Sequence, residues 1–229
     1  MATVGIVGGL GPESTIDYYR RIIQVWREDD PASYPSIIID SLDVQVGLEL
    51  VANDHPALIR YLAGSIDRLT RGGASFITMA ANTPHLVFDD LVRLSPVPML
   101  SIVEACVDEA GRQGFKRLAL LGTRFTMEAQ FYPSTFARRG LTVIPPAATD
   151  REWVHAKYIG ELLVGSFRDE TRERFVELIT RMRDEHQVDA LILGGTELPL
   201  LLRADVIAGL PTLDTTELHV RAIVDRLRR

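Results

Sequence analysis

The stretch FITMAANTPH, residues 76–85, begins as an apolar run and ends as a polar turn. A short apolar run of this kind, bounded by Asn, Thr and Pro, predicts a buried strand that leads into a helix. The same pattern returns in ALILGGTELPL, residues 190–200, where an apolar run again precedes a polar turn and a proline. The two stretches therefore predict equivalent parts of a duplicated fold.

The repeat extends beyond this one pair of segments. GIVGGLG resembles ALLGTRF, TMAANTPHL resembles LILGGTELPL, and VPMLSIVEA resembles LPTLDTTEL. The spacing is also kept, because 114 residues separate Gly8 from Gly122 and 114 separate Ala81 from Gly195. Each repeat alternates strand-like runs with helical segments, including helices predicted over about Ser14–Arg27 and Pro56–Arg71. The sequence thus predicts an α/β fold of two pseudo-symmetric lobes, with mainly parallel sheets flanked by helices.

The lobe boundaries follow from the repeat. We predict an N-terminal lobe over residues 1–100, a C-terminal lobe over 101–210, and a terminal strand and helix over 211–229 that pack back across the boundary. Ligands of parallel sheets bind outside the carboxyl ends of the strands. Since Ala81 and Gly195 each follow such a strand, they are predicted to face each other across a ligand cleft between the lobes.

Composition limits the partners of the chain. With 25 basic and 31 acidic residues the formal charge is −6, so we expect neither a nucleic acid nor a membrane surface as a partner. The single cysteine, Cys106, cannot form an internal disulfide, and no leader segment is recognisable, so a cytoplasmic location is expected. The histidines lack metal-ligand spacing, and GGLGPES lacks the third glycine of a dinucleotide fingerprint. We therefore expect no metal and no cofactor.

Four segments together carry a family resemblance: MATVGIVGGLGPESTIDYYRRI, MAANTPHLVFDDL, LLGTRFTMEAQFY and ILGGTELPLLL. They resemble the aspartate/glutamate racemase family over nearly the whole chain. In typical members the two turns contain C-N-T and G-C-T-E, and their thiols lie on opposite faces of an amino acid's α-carbon without pyridoxal phosphate. Inverting a stereocentre needs one group to remove the proton and another to return it from the other side. Here Ala81 and Gly195 occupy the positions of those two catalytic cysteines.

The resemblance implies a binding role for the residues around these two positions. Asn82 and Thr83 match the first turn, and Thr196 matches the second, where these residues would hold a carboxylate with help from helix N-termini. The threonines could instead be helix caps. Thr123 and Arg124 match a third family motif, in which arginine could pair with a substrate carboxylate or form a surface ion pair.

Two titratable residues are candidates for a replacement acid or base. His85 has an ordinary pKa close to neutral pH, and Glu197 could act as an acid if burial raised its pKa. Both residues also belong to the ordinary family pattern, which favours an orienting role. His155 and His219 are interpreted as structural or solvated, and Cys106 as a buried structural residue of a helix.

The functional expectation is a family member that binds a small amino acid or carboxylic acid, with cofactor-independent racemase chemistry that is altered or impaired. The alternatives are a non-catalytic carboxylate-binding protein with a sensor or regulatory role, and a lyase or decarboxylase. Typical aspartate-specific members carry a lysine shortly before the glycine matched by Gly165, whereas this chain has ELLVGSF there. The ligand class is therefore left open, and a homodimer is expected from the resemblance alone.

Overall fold

The computed structural model describes residues 2–229 and divides into two compact units. The first unit contains the residues up to Ile102 together with His219–Arg229, and the second is Val103–Leu218. The residue Met1, with which the predicted N-terminal lobe begins, lies outside the described part of the chain.

The first unit is built around a four-stranded sheet. Its strands are Thr3–Gly8 (β1), Ser36–Ser41 (β2), Phe76–Met79 (β3) and Met99–Leu100 (β4). They are all parallel, in the order β2-β1-β3-β4. The helices are Pro12–Asp29 (α1), Val44–Asn53 (α2), His55–Arg71 (α3) and Phe88–Leu94 (α4), with a 3-10 segment at Thr83–Val87. A further helix, Ile102–Gln113 (α5), begins at the last residue of this stretch.

The second unit contains a five-stranded sheet. Its strands are Arg117–Gly122 (β5), Thr142–Ile144 (β6), Ala190–Gly194 (β7), Val206–Ile207 (β8) and Leu210–Asp214 (β9). Their order is β6-β5-β7-β9-β8, and only β8 runs antiparallel to its neighbour. The helices are Arg124–Glu128 (α6), Phe131–Ala137 (α7), Ala148–Gly160 (α8), Asp169–His186 (α9) and Leu198–Leu202 (α10), with a 3-10 segment at Leu162–Val164. The last helix, Thr215–Leu227 (α11), begins in this unit, and its residues from His219 onward belong to the first.

The predicted α/β fold with two parallel-rich, helix-flanked sheets is confirmed. The repeat is visible in the strand pairing, since Val7 pairs with Met79 in the first sheet and Leu121 pairs with Leu193 in the second. Each residue of the second pair lies 114 positions after its counterpart, which is the spacing found in the sequence.

Two elements differ from the prediction. VPMLSIV has the apolar composition of a longer strand, but β4 contains only Met99 and Leu100 because α5 begins at Ile102. The strand β8 was not expected, and it pairs with β9 through a tight turn in which Ala208 and Gly209 both have positive φ. Alanine seldom adopts this conformation, so the local sequence does not predict the turn.

The core of the first unit includes the end of the chain. Helix α1 presents Tyr18 and Ile22, one turn apart, to Val4 and Ile6 of β1, and all four are fully buried. The last helix, α11, completes this core with four apolar side chains: Val220, Ile223, Val224 and Leu227. Burial of this apolar stripe fixes the C-terminal residues to the N-terminal sheet.

A buried histidine also joins α11 to this sheet. Nε2 of His219 lies 2.7 Å from Oγ1 of Thr78 and 3.3 Å from the carbonyl oxygen of Leu100. A carbonyl can only accept, so Nε2 carries the proton and Nδ1 accepts the hydrogen bond from the Tyr18 hydroxyl, 2.9 Å away. The network links α1, β3, β4 and α11.

Among residues 2–229, no helix has both the length and the apolar composition that crossing a bilayer requires.

Candidate active site

Each sheet has a point where the strand order reverses. In the first unit the chain moves from β1 to β2 on one side and then returns to the other side as β3, and the second unit repeats this with β5, β6 and β7. In open parallel sheets, ligands bind outside the carboxyl ends of the strands at such a reversal. The sequence-predicted site residues follow these ends: Ala81, Asn82, Thr83 and His85 after β3; Thr123 and Arg124 after β5; Gly195, Thr196 and Glu197 after β7.

The turn after β3 is largely buried. Ala81 and Asn82 are 6% and 3% exposed, whereas Thr83 is partly exposed. Thr83 is the first residue of the 3-10 segment, and Asn82 occupies the cap position before it. Thr83 is therefore not the cap residue of this segment.

His85 connects this turn to helix α5. Its Nδ1 lies 3.2 Å from the carbonyl oxygens of both Ala81 and Asn82, so this nitrogen carries the proton. Its Nε2 accepts a hydrogen bond of 3.2 Å from the amide of Ile102, the first residue of α5. This amide is one of the N–H groups that a helix leaves without a backbone partner. Burial lowers the pKa of His85 to about 4. Both ring nitrogens thus bind the backbone, and the geometry favours an orienting role.

The turn after β7 has a buried carboxylate at its centre. Glu197 is 1% exposed, and its Oε2 accepts hydrogen bonds from Oγ1 of Thr196, at 3.0 Å, and from the hydroxyl of Tyr158. Glu197 also occupies the cap position of α10, so Thr196 contacts the carboxylate and is not the residue at the cap. The amide of Glu197 lies 3.4 Å from the Tyr158 oxygen, which gives the pair a second contact.

Tyr158 fills the space beside Gly195. A Cβ atom placed on Gly195 would lie 2.4 Å from Cε2 and 2.7 Å from the hydroxyl oxygen of Tyr158, closer than real Cβ atoms approach other atoms. The tyrosine is 4% exposed and projects from α8. Burial, reinforced by the negative charge of Glu197, raises the pKa of Tyr158 well above its ordinary value. The phenol is therefore protonated at neutral pH and donates to the carboxylate.

The turn after β5 is more open. Thr123 is buried and caps α6, since its Oγ1 accepts from the amide of Thr126 at 3.3 Å. Arg124 is exposed, and its amide donates to Nδ1 of His155 at 3.3 Å. Partial burial, together with the charge of Arg124, lowers the pKa of His155. Helix α8 thus carries two residues, His155 and Tyr158, that contact two neighbouring turns.

The single thiol lies in a buried environment that keeps it protonated. Cys106 is fully buried in α5, and burial raises the pKa of its thiol, with the Asp214 and Glu109 carboxylates adding to the rise. A thiol held protonated in an apolar interior is a poor nucleophile and a poor base. Within residues 2–229, no group of three or more His, Cys, Asp or Glu side chains has an arrangement suited to a metal ion.

Sequence reasoning missed Tyr158. It lies on a helix 37 residues before Gly195, and it belongs to none of the repeated motifs. The only available signal was the glycine itself, because a position without a side chain in a close-packed interior needs another residue to fill its volume. His155 was considered, but its contact with the turn after β5 was not predicted.

The buried histidines make stability sensitive to mild acid. Burial lowers the pKa of His85 to about 4 and that of His219 to about 3, where the charge of His85 adds to the effect. In the unfolded chain both have pKa values near 6.5, so unfolding takes up protons at pH values between the unfolded and folded pKa values. The free energy of unfolding is expected to fall by about 3–4 kcal/mol, about half from each histidine, as the pH decreases from about 7 to about 5. Urea denaturation at several pH values measures this.

The variants His85→Gln and His219→Gln are expected to reduce this pH dependence, each by about half. His186→Gln is the control, because His186 is partly exposed at the end of α9. Carboxylates with lowered pKa values, such as Asp40 beside Arg68, lose their contribution at lower pH and do not affect this window. An unchanged pH dependence in both histidine variants would contradict the assignment.

Comparison with known proteins identifies the family to which the chain belongs. Residues 7–223 match the family model described as Asp/Glu/Hydantoin racemase. The crystal structure of an aspartate racemase homologue from Pyrococcus horikoshii OT3 is 35% identical, covers all of both chains, and superposes with a TM-score of 0.84. A broad specificity amino-acid racemase from Bacillus subtilis (strain 168) is 26% identical over 145 residues, 62% of this chain. A glutamate racemase from Thermus thermophilus is 30% identical over 180 residues, 75% of this chain.

The two matched segments each span 63% of the length of these curated racemases. The match to the family model covers far more than half of this chain. The chain therefore shares its α/β fold with this aspartate racemase homologue. The chain belongs to the Asp/Glu/Hydantoin racemase family.

Proposed function

We propose that this protein binds a small amino acid or carboxylic acid through the turns that follow β3, β5 and β7, and that the racemase chemistry of its family is impaired. The proposed ligand contacts are Asn82, Thr83, Thr123, Arg124 and Thr196. The polar side chains at the carboxyl ends of the strands support a carboxylate-binding role.

The observation that carries the proposal is the identity of residues 81 and 195. Alanine and glycine can neither remove nor return a proton, and the family resemblance places the catalytic cysteines at these positions. The one thiol in the chain, Cys106, is buried in α5 with a raised pKa. Exchange of a proton between two faces of an α-carbon needs an acid or base on each face. The chain therefore lacks the pair of thiols that the family's reaction uses.

Binding and racemisation can be measured on the same samples. A panel of L- and D-amino acids and dicarboxylic acids is titrated against the protein by calorimetry, and each mixture is then analysed by chiral chromatography. We expect saturable binding of at least one compound, without interconversion of enantiomers. Iodoacetamide treatment is expected to change neither result, and Cys106→Ala is expected to behave as the unmodified chain does.

Variants locate the binding site. Asn82→Ala is expected to weaken binding about tenfold, which corresponds to about 1.4 kcal/mol for a lost hydrogen bond to a charged group. Asn53→Ala is the control, because Asn53 is exposed at the end of α2 in the same lobe. The proposal fails if no compound of the panel binds, or if the protein racemises an amino acid and thiol alkylation abolishes the activity.

The homodimer expected from the family resemblance stays a prediction, which sedimentation equilibrium tests directly. The cytoplasmic location likewise stays a prediction.

A further inference from the structure

The hydroxyl of Tyr158 lies where a side chain at residue 195 would project. Its oxygen is 2.7 Å from the Cβ position of that residue, and the ring carbon Cε2 is closer still, at 2.4 Å. A side chain at residue 195 would have to occupy the volume that the tyrosine takes. The volume beside the turn after β7 therefore contains a phenol, supplied by helix α8.

This phenol has a defined partner for its proton. Its hydroxyl donates to Oε2 of Glu197, and the hydroxyl of Thr196 donates to the same oxygen at 3.0 Å. Two donors on one carboxylate oxygen favour the ionised carboxylate. Glu197 and Tyr158 are 1% and 4% exposed, and such a buried, hydrogen-bonded pair holds its geometry and has little competition from water.

We propose that Tyr158 is the proton-carrying group at the turn after β7, and that Glu197 is the acceptor for its hydroxyl proton. The α-proton of the ligand moves to the Tyr158 oxygen while the phenolic proton moves to Oε2 of Glu197. The electron pair of the broken C–H bond stays on the α-carbon and is delocalised into the adjacent carboxyl group. The hydrogen taken up by the Tyr158 and Glu197 pair exchanges with solvent, so in heavy water the reverse transfer returns deuterium to the carbon. This inference rests on the proposed binding function.

The stereochemical consequence distinguishes this reaction from racemisation. The family resemblance assigns the second proton-transfer group to residue 81, and Ala81 has no side-chain proton to exchange. The proton then leaves and returns on the same face of the ligand. We therefore expect exchange of the α-hydrogen with retention of configuration.

The test follows the α-proton signal of each bound compound by NMR in heavy water, with chiral chromatography of the product. Tyr158→Phe keeps the ring beside Gly195 and removes only the hydroxyl. The exchange rate is expected to fall about a hundredfold, the usual contribution of a positioned acid or base. The dissociation constant is expected to change by less than about threefold, since the ring that shapes the site is kept.

Matched variants separate a chemical role from a structural one. Tyr132→Phe removes the hydroxyl of another fully buried tyrosine of the same lobe, on α7, and is expected to exchange at the unmodified rate. Glu197→Gln keeps an oxygen that can accept the tyrosine hydrogen bond but lacks the basicity to take its proton. This variant is also expected to lose about a hundredfold in rate, and it provides a test even if Tyr158→Phe does not fold.

Each outcome bears on a different proposal. Exchange at the unmodified rate in Tyr158→Phe or Glu197→Gln would overturn the proton relay and leave the binding function intact. Binding without any exchange in the unmodified protein would also overturn the proton relay and leave the binding function intact. Exchange with full racemisation would overturn the single-face reaction. If no compound of the panel binds, the proposed function itself fails and the relay fails with it.

Discussion

Replacement of Gly195 by alanine is expected to lower the free energy of unfolding by about 1–3 kcal/mol, the usual cost of overpacking a close-packed interior. The added methyl carbon would lie 2.4 Å from Cε2 of Tyr158, so the tyrosine ring must move. Movement of the ring also strains the hydrogen bond between Tyr158 and Glu197. Urea denaturation followed by circular dichroism measures the loss.

A double-mutant cycle tests whether Tyr158 is the cause. In the background of Tyr158→Ala the ring is absent, and Gly195→Ala is expected to cost less than about 0.5 kcal/mol, so the two changes should be non-additive by more than about 1 kcal/mol. Gly160→Ala, at the end of α8, is the control, because a Cβ there meets no atom within 4 Å. Additive effects of the two substitutions would refute the steric coupling. The same coupling implies that a cysteine at residue 195 requires a smaller residue at 158.

Replacement of His219 by leucine is expected to lower the free energy of unfolding by about 2–4 kcal/mol, because leucine is apolar and cannot replace the polar contacts of the imidazole. His219 is fully buried and accepts from Tyr18 while its other nitrogen contacts Thr78 and Leu100. Loss of these contacts would also loosen α11 from the N-terminal sheet. Thermal and urea unfolding of the variant give the magnitude.

Two comparisons make the His219 prediction specific. His219→Gln can reproduce part of the polar contact and is expected to recover about half of the loss. His186→Leu, at the partly exposed end of α9, is expected to change stability by less than about 0.5 kcal/mol. A fully buried histidine that tolerates leucine without cost would show that the network contributes nothing to stability.

The repeated segments predicted the fold well because each one contains a complete local signal. The apolar runs before Ala81 and before Gly195 are buried strands, and the spacing of 114 residues reappears in the strand register. The prediction failed where short-range and long-range effects compete. VPMLSIV has strand-like composition, yet the amide of Ile102 is bonded to His85, which lies 17 residues earlier, and a helix begins there.

The candidate site was predictable only in part, for a related reason. The turns that contain Asn82, Thr83, Thr196 and Glu197 follow their strands directly, so their positions at the ends of the sheets could be predicted from local sequence. The contact of Tyr158 with Gly195 depends on how α8 packs on its own lobe, and no local pattern encodes it. The loss of one side chain at residue 195 could be read from the sequence, but the residue that fills the volume could not.

The first unit is discontinuous in sequence, and this has a consequence for how the chain acquires its structure during synthesis. Residues 219–229 supply four apolar side chains and the buried imidazole to a sheet whose strands all lie within the first hundred residues. The ribosome makes those strands first, but the part of this core that α11 completes stays open until that helix has emerged. The second unit is continuous, so it can fold earlier, and the nascent N-terminal half is the part that would depend on chaperones.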